Sequence, residues 1–290
     1  MTAPVQLLQG PGQPLTQICD IVPTAFGVVT LRSETANGTC IENEKRSVWF
    51  TGGSLTGYDS SLPTGLYAKQ YEPLRSGGQQ SLIGNNWVVA LFGNNFYINA
   101  ISLYAKLNDG RVFAWGNNQS GQLGFGDHAG RSVPTDAPAW KDVRAIVSSF
   151  EVTLGLLPNG SVLAAGSALG QTLGLASVTT GFQTTPALVE GLVGVRALGV
   201  STSTSSAFAI VETGLRYWGS GATNMYGESS RTPCIYPVPD TSLESISVGN
   251  QHVLGIDKRG GVYAWGSNQI LALGCGVCDD NKVPTLVTVP

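Results

Sequence analysis

Charge is what this sequence has least of: charged residues make up 12% of its 290 positions, about half of the ~25% usual for a globular domain. The 16 Lys and Arg are scattered, never more than two together, and the net charge is −3, so there is no basic stripe to neutralise a run of phosphates, and nucleic acid is not an expected partner. No apolar run reaches the roughly 18 to 20 residues that span a bilayer, which argues against a membrane partner. Residues 1–17 lack the basic and apolar regions of a secretory signal, so the expected location is cytoplasmic by default.

Metal-ligating and nucleophilic residues are equally sparse. The five cysteines, Cys19, Cys40, Cys234, Cys275 and Cys278, are odd in number and mostly far apart, so free thiols are the expected state. Cys275 and Cys278 have the CxxC spacing, but no second such pair or His pair stands near to complete four ligands. The expected role is a tight Gly-containing loop, with a labile disulfide as the alternative and no metal. Of two histidines, His128 lies in a loop with no nucleophile motif beside it. Isolated acids such as Asp20, Glu34 and Glu151 neither pair nor repeat. Phosphate-cradling and EF-hand motifs are missing, so no cofactor and no catalytic residue are expected. The sequons at Asn37, Asn118 and Asn159 fall in predicted turns, where Asn is common anyway.

Glycine, by contrast, supplies 38 residues, nearly twice its usual ~7% share, and much of it recurs in one pattern. Asp109-Gly-Arg-Val-Phe-Ala-Trp-Gly116 and Arg259-Gly-Gly-Val-Tyr-Ala-Trp-Gly266 are near copies. Asn159-Gly-Ser-Val-Leu-Ala-Ala-Gly166 replaces Trp by Ala, Thr213-Gly-Leu-Arg-Tyr-Trp-Gly219 is one residue shorter, and Arg46-Ser-Val-Trp-Phe-Thr-Gly52 is degenerate. The closing glycines, Gly52, Gly116, Gly166, Gly219 and Gly266, are 64, 50, 53 and 47 residues apart, the period of propeller blades or a solenoid.

Each unit reads as β. An alternating stretch such as Val143–Val147 precedes a second strand, Val152–Leu157, and an Asn-Gly or Asp-Gly turn supplies the positive φ of a tight hairpin. The Val-aromatic-Ala-Trp-Gly run is the third strand, and a polar loop (117–124) then leads to a Pro-led segment at Val133-Pro134. The predicted fold is an all-β propeller of about five blades, each a three- to four-stranded antiparallel sheet, forming a single domain over residues 1–290. Trp115, Trp218 and Trp265 are read as wedges between adjacent blades. Gly116, Gly219 and Gly266 are read as sites of close approach near the axis.

The runs 109–124, 248–257 and 262–269 resemble the regulator of chromosome condensation repeat, two units strongly, two moderately and the first weakly. That resemblance implies a propeller of four-stranded blades, and for His252 a buried ring that bonds backbone between blades. Well-known members have seven blades against the five counted here. The Pro-led tail 282–287 and the head 3–8 look alike, so pairing of N- and C-terminal segments is expected to close the ring and hide its edges. A sixth blade before Gly116, or an open arc that pairs with a second copy, are the alternatives.

A rigid scaffold presenting loops is built for recognition. The leading expectation is a non-catalytic module for protein-protein interaction, with Trp87, Trp140, Tyr226 and Tyr236 as its loop aromatics. Trp87 ends the stretch 74–87 that lengthens the second unit. Lectin-like carbohydrate or small-ligand binding is one alternative, although the loops after each marker glycine share their polar residues only in part. Guanine-nucleotide exchange or enzyme inhibition, as the resemblance implies for some members, is another.

Overall fold

The computed structural model describes residues 82–93, 101–201, 205–221, 229–236, 243–269, 271–275 and 279–287, and the strand backbones at 8–10, 13–14, 18–24, 27–33, 46–52 and 65–70. Five antiparallel sheets follow one another, each four strands long and each drawn in order from one stretch of chain. The first holds Ile18–Thr24, Gly27–Ser33, Arg46–Gly52 and Gly65–Gln70. The second holds Val88–Gly93, Ser102–Leu107, Val112–Gly116 and Arg131–Asp136. The third is Ala145–Ser148, Val152–Leu156, Val162–Ser167 and Phe182–Leu188. The fourth is Ala197–Val200, Ser206–Val211, Gly214–Gly219 and Ser230–Tyr236. The fifth is Leu243–Val248, His252–Asp257, Val262–Gly266 and Asn281–Leu286.

The chain divides into two compact units, one of residues 1–119 and 128–142, the other of 120–127 and 143–290. The first unit carries the first two sheets and the second carries the remaining three. In sheets two to five the Pro-led segment is the outermost strand of its own sheet, and residues 3–7 of the head lie outside the described residues. Asn281–Leu286 pairs with Val262–Gly266 inside the fifth sheet, and Leu8–Gly10 pairs with Gln13–Pro14. Among the described residues no strand joins the two ends.

The marker glycine governs the local geometry. Gly116, Gly166, Gly219 and Gly266 have φ of 104°, 128°, 114° and 106°, in the region where a Cβ is strongly disfavoured. A Cβ there would also stand 2.1, 2.0, 2.0 and 2.4 Å from the carbonyl oxygens of Ile101, Glu151, Ser205 and Gln251. The close approach is thus to the head of the second strand of the same sheet, not to an axis. In three sheets the next residue donates its N–H to that same carbonyl: Asn117 to Ile101 at 2.8 Å, Ser167 to Glu151 at 2.9 Å and Ser267 to Gln251 at 2.7 Å.

The same glycine sets the edge. In every four-stranded sheet the register of the third and fourth strands shifts just before it: Ala164 faces Ala187 but Gly166 faces Gln183, and Ala264 faces Thr285 but Gly266 faces Asn281. Three residues of the outer strand therefore bulge out of the ladder. The last of the three is Pro134, Pro186, Pro233 or Pro284 in sheets two to five. Proline has no N–H to offer, so it fits where none is paired. The carbonyl before each proline is taken by a side chain: Thr135 to Val133 at 3.0 Å, Gln183 to Thr185 at 2.6 Å, Ser230 to Thr232 at 2.6 Å, and Thr285 to Val283 at 3.1 Å.

Within each unit the sheets stack through tryptophan. Trp218 of the fourth sheet is buried among Leu154, Leu156 and Val162 of the third, and its indole N–H donates to the Thr172 carbonyl at 2.7 Å. Trp265 of the fifth sheet packs with Phe208, Ile210 and Leu215 of the fourth. In the first unit Trp115 packs with Val48 of the first sheet. Each of these tryptophans is turned back toward the preceding sheet.

Two aromatics expected on loops belong to the core. Trp140 closes a single 3-10 turn, Pro138–Trp140, and is fully buried, edge-on to Tyr104 with ring centroids 6.4 Å apart. Tyr236 ends the outer strand of the fourth sheet, buried against Phe208, Tyr217 and Trp265, and its hydroxyl donates to the Lys282 carbonyl. Neither presents a face to a ligand. Burial, then the neighbouring Tyr217, raises the Tyr236 phenol above its ordinary range.

Two predictions follow from this packing. Gly214, φ 123°, has open space around its missing Cβ, whereas Gly219 has both the strained φ and the clash. Gly214→Ala should cost about 1–2 kcal/mol from the backbone alone. Gly219→Ala should cost roughly a further 1–3 kcal/mol; equal urea midpoints for the two would contradict the clash. Because Tyr236 holds its proton in the folded state above the pH where an unfolded Tyr ionises, near ~10, the stability it confers is complete below that pH and is lost as pH rises beyond it. Tyr236→Phe should lose about 1 kcal/mol at neutral pH and should flatten that alkaline fall, as read from urea melts on either side of pH ~10.

Candidate functional site

The loops between third and fourth strands repeat as closely as the strands do. In the second, third and fifth sheets, the residue five beyond the marker glycine is left-handed: Gly121, Gln171 and Leu271 have φ of 76°, 57° and 58°. Two residues later a leucine, Leu123, Leu173 or Leu273, is buried, and a positive-φ glycine follows it. The polar side chains of these loops point inward. Asn117 Oδ1 accepts the Gln119 N–H at 2.9 Å, and Asn118 Nδ2 donates to the Ala129 carbonyl at 3.1 Å. Gln122 accepts the Ser120 N–H at 3.0 Å and donates to the Phe150 carbonyl at 3.2 Å. In the fifth sheet Asn268 Oδ1 accepts the Leu273 N–H at 3.1 Å. Asn117, Asn118, Gln122 and Asn268 are spent on backbone partners, and Gln119 and Gln269 are exposed.

Large apolar residues also reach the surface at these strand ends. At one end of the third sheet Ser167 faces Phe182 across the ladder, and its N–H bonds the carbonyl of Glu151, the residue after Phe150. Its hydroxyl accepts the Leu169 N–H at 3.2 Å, and the Ala168 N–H bonds Gly181. Phe150, Leu169 and Phe182 are thereby gathered about one residue, exposed at 37%, 73% and 47%. Leu271 stands in the matching loop of the fifth sheet, also exposed. None of these four was singled out from the sequence, although the repeat register held the signal: Leu169 occupies the place of the exposed Gln119 and Gln269.

The remaining expected residues are placed as follows. Trp87 is half-buried and tied to the hairpin below it, its N–H on Asn108 Oδ1 at 3.0 Å and its carbonyl accepting the Asn108 N–H at 3.1 Å. Tyr226 and residues 74–81 lie outside the described residues. His252 is half-buried, not buried, with its ring against Gly249, where even a Cβ would meet it at 2.5 Å. His128 is exposed, its Nδ1 2.9 Å from the Gln119 carbonyl. Asp257 caps the last hairpin, and bonds from the Gly261 and Arg259 N–H groups hold its carboxyl below the usual range.

Free thiols are the expectation that fails: Cys19 and Cys275 are disulfide-bonded, and Cys234 alone of the described cysteines is free. Cys275 lines a cavity of about 330 Å³ beside the outer strand of the fifth sheet, with Ala264, Leu273, Asp280, Thr285 and Leu286. Asp280 is engaged there, accepting the Asn268 N–H at 2.7 Å. Among the described residues no group of three metal-ligating side chains forms, and no helix is long and apolar enough to cross a membrane.

Comparison with known proteins gives this repeat a name. The family described as the regulator of chromosome condensation (RCC1) repeat matches at residues 109–150 and 259–290, and a second description of the same repeat matches at 244–269. The E3 ubiquitin-protein ligase HERC2 of Homo sapiens is 28% identical over 188 residues, 61% of this chain, and the Mus musculus protein matches equally. The chain spans only 4% of the length of these relatives. Among solved structures, yeast RCC1 (Prp20) bound to Kap60 superposes with a TM-score of 0.66 at 17% identity, over 94% of this chain and 61% of that one. Human WBSCR16 gives 0.66 at 18% identity, over 93% and 67%. The matched segments carry the glycine, tryptophan and proline positions that shape the second and fifth sheets, and they are regulator of chromosome condensation repeats.

Proposed function

We propose that the protein is a non-catalytic binding module that holds a protein partner on the strand-end loops of its third sheet. The observation that carries this reading is the exposure of Phe150, Leu169 and Phe182, three large apolar residues whose backbones meet at or next to Ser167 at one end of the third sheet. Protein interfaces centre on a few such anchors, ringed by polar residues that exclude water. A partner of matching chemistry presents a small apolar pocket or an aliphatic ridge. Similarity supports the class of function: the solved structures include Prp20 bound to Kap60, and a study of Prp20p from Saccharomyces cerevisiae names its binding to Gsp1p and histones. Those partners belong to that protein. The carbohydrate alternative is the weaker one, because the loop amides it would use are already bonded within the loops. The disulfides at Cys19 and Cys275 suit an oxidising compartment, against the cytoplasmic location expected from the sequence.

The test is affinity capture with the intact protein beside two variants, Leu169→Asp and Trp87→Ala, each verified by circular dichroism. Leu169 is too exposed for its loss to unfold the sheet. Capture of a saturable protein partner should fall about tenfold or more in Leu169→Asp, the loss of one anchor, and should persist in Trp87→Ala. Equal capture by wild type and Leu169→Asp would remove the third-sheet loops from the interface.

A further inference from the structure

Of the three sequons, Asn37 lies outside the described residues, and the structure treats the other two oppositely. Asn118 and Ser120 are buried, and the Asn118 amide is consumed, its Nδ2 donating to the Ala129 carbonyl at 3.1 Å. Asn159 stands exposed at the tip of the hairpin that joins Val152–Leu156 to Val162–Ser167 in the third sheet. Pro158, Glu190, Val193 and Gly194 beside it belong to the same compact unit and are exposed as well. The turn itself is pinned within that unit. The Val195 N–H donates to the Gly160 carbonyl at 3.0 Å, and a Cβ on Gly160 would meet Gly194 at 2.7 Å.

The hairpin uses only half of the Asn159 side chain. Oδ1 accepts the Ser161 N–H at 3.0 Å, and in the second sheet the Asp109 carboxylate does the same work, accepting the Arg111 N–H at 3.1 Å. An acceptor oxygen is therefore all that the turn requires. Nδ2 has no hydrogen-bond partner among the described residues, and neither has the Ser161 hydroxyl. Arg111 and Gly261 stand in the place of Ser161 in the second and fifth sheets, so the turn does not call for that hydroxyl. The two groups that define a sequon, an amide nitrogen and a hydroxyl two residues on, are both present here and both unused.

We propose that Asn159 is a site of N-glycosylation. Nδ2 displaces the diphosphate from the anomeric carbon of a lipid-linked oligosaccharide. The new C–N bond forms, the C–O bond to the diphosphate breaks, the amide gives up one proton, and the lipid diphosphate leaves. The disulfides at Cys19 and Cys275 are an independent observation in its favour, because they are bonds of an oxidising compartment, the setting of secreted proteins in which sequons are read. A bulky hydrophilic group at this tip also suits a chain with only 12% charged residues. Asn159 precedes the strand Val162–Ser167, whereas Phe150, Leu169 and Phe182 gather at its other end. The sugar and the proposed partner surface thus occupy opposite ends of one sheet, and either reading can fail without the other.

Mass spectrometry of intact peptides from the full chain, isolated from its source organism, tests the proposal. The peptide that holds Asn159 should carry a glycan that peptide N-glycosidase removes, and the peptide that holds Asn118 should be bare. Expressed in the same organism, Asn159→Asp should lose the glycan and keep the thermal melt of the deglycosylated wild type, because the turn retains its acceptor. Ser161→Ala should lose the glycan as well, and Ser161→Thr should keep it. A bare Asn159 in the protein from its source would overturn the proposal, as would a glycan on Asn159 that persists in Ser161→Ala.

Discussion

Each repeat depends on one close contact, the approach of a glycine backbone at the end of the third strand to a carbonyl at the head of the second. The gap left for a Cβ at Gly166 is 2.0 Å and at Gly266 is 2.4 Å, far inside contact distance, and positive φ turns the chain there. Three consequences follow. In the second, third and fifth sheets the following N–H is delivered to the crowded carbonyl, and in sheets two to five the outer strand slips out of register and proline settles in the slip. The residue just before the glycine, tryptophan in three sheets, is held at a fixed height on the face that meets the preceding sheet. Removing the glycine would disturb turn, edge and stacking together.

This construction divides labour along the chain. The strands spend their apolar side chains on stacking, and the loops spend their polar side chains on their own backbone. Little chemistry is left at the surface beyond single apolar residues at strand ends. A scaffold of this kind recognises by shape and apolar contact. Its low charge is consistent with that: where a basic or acidic protein steers its partner by field, this one has almost no field with which to steer.

Much of the fold was legible in the sequence because its constraint is stereochemical. Only glycine satisfies the contact, so Gly116, Gly166, Gly219 and Gly266 mark the period even where the tryptophan has become Ala165. The proline that follows was read as the start of a unit, since a missing N–H marks an edge without saying which sheet owns it. The candidate site was far less legible. Trp140 and Tyr236 look like loop aromatics in a linear reading, but one is buried by a turn against Tyr104, and the other ends a strand in the shortened fourth repeat. Aromatic identity predicts burial better than function. Leu169 was visible only by comparing repeats, as an aliphatic residue where its counterparts are Gln119 and Gln269.

The central claim, that one glycine-carbonyl contact organises the second to fifth repeats, is tested most directly by amide hydrogen exchange resolved to single residues. The N–H groups of Asn117, Ser167 and Ser267 each donate to the carbonyl that the glycine crowds. All three should exchange in the slow class with the strand amides around them, although they stand at the mouths of loops. Fast exchange at these amides, with the neighbouring strand amides still protected, would mean that the sheets hold together without the contact, and the account would fail.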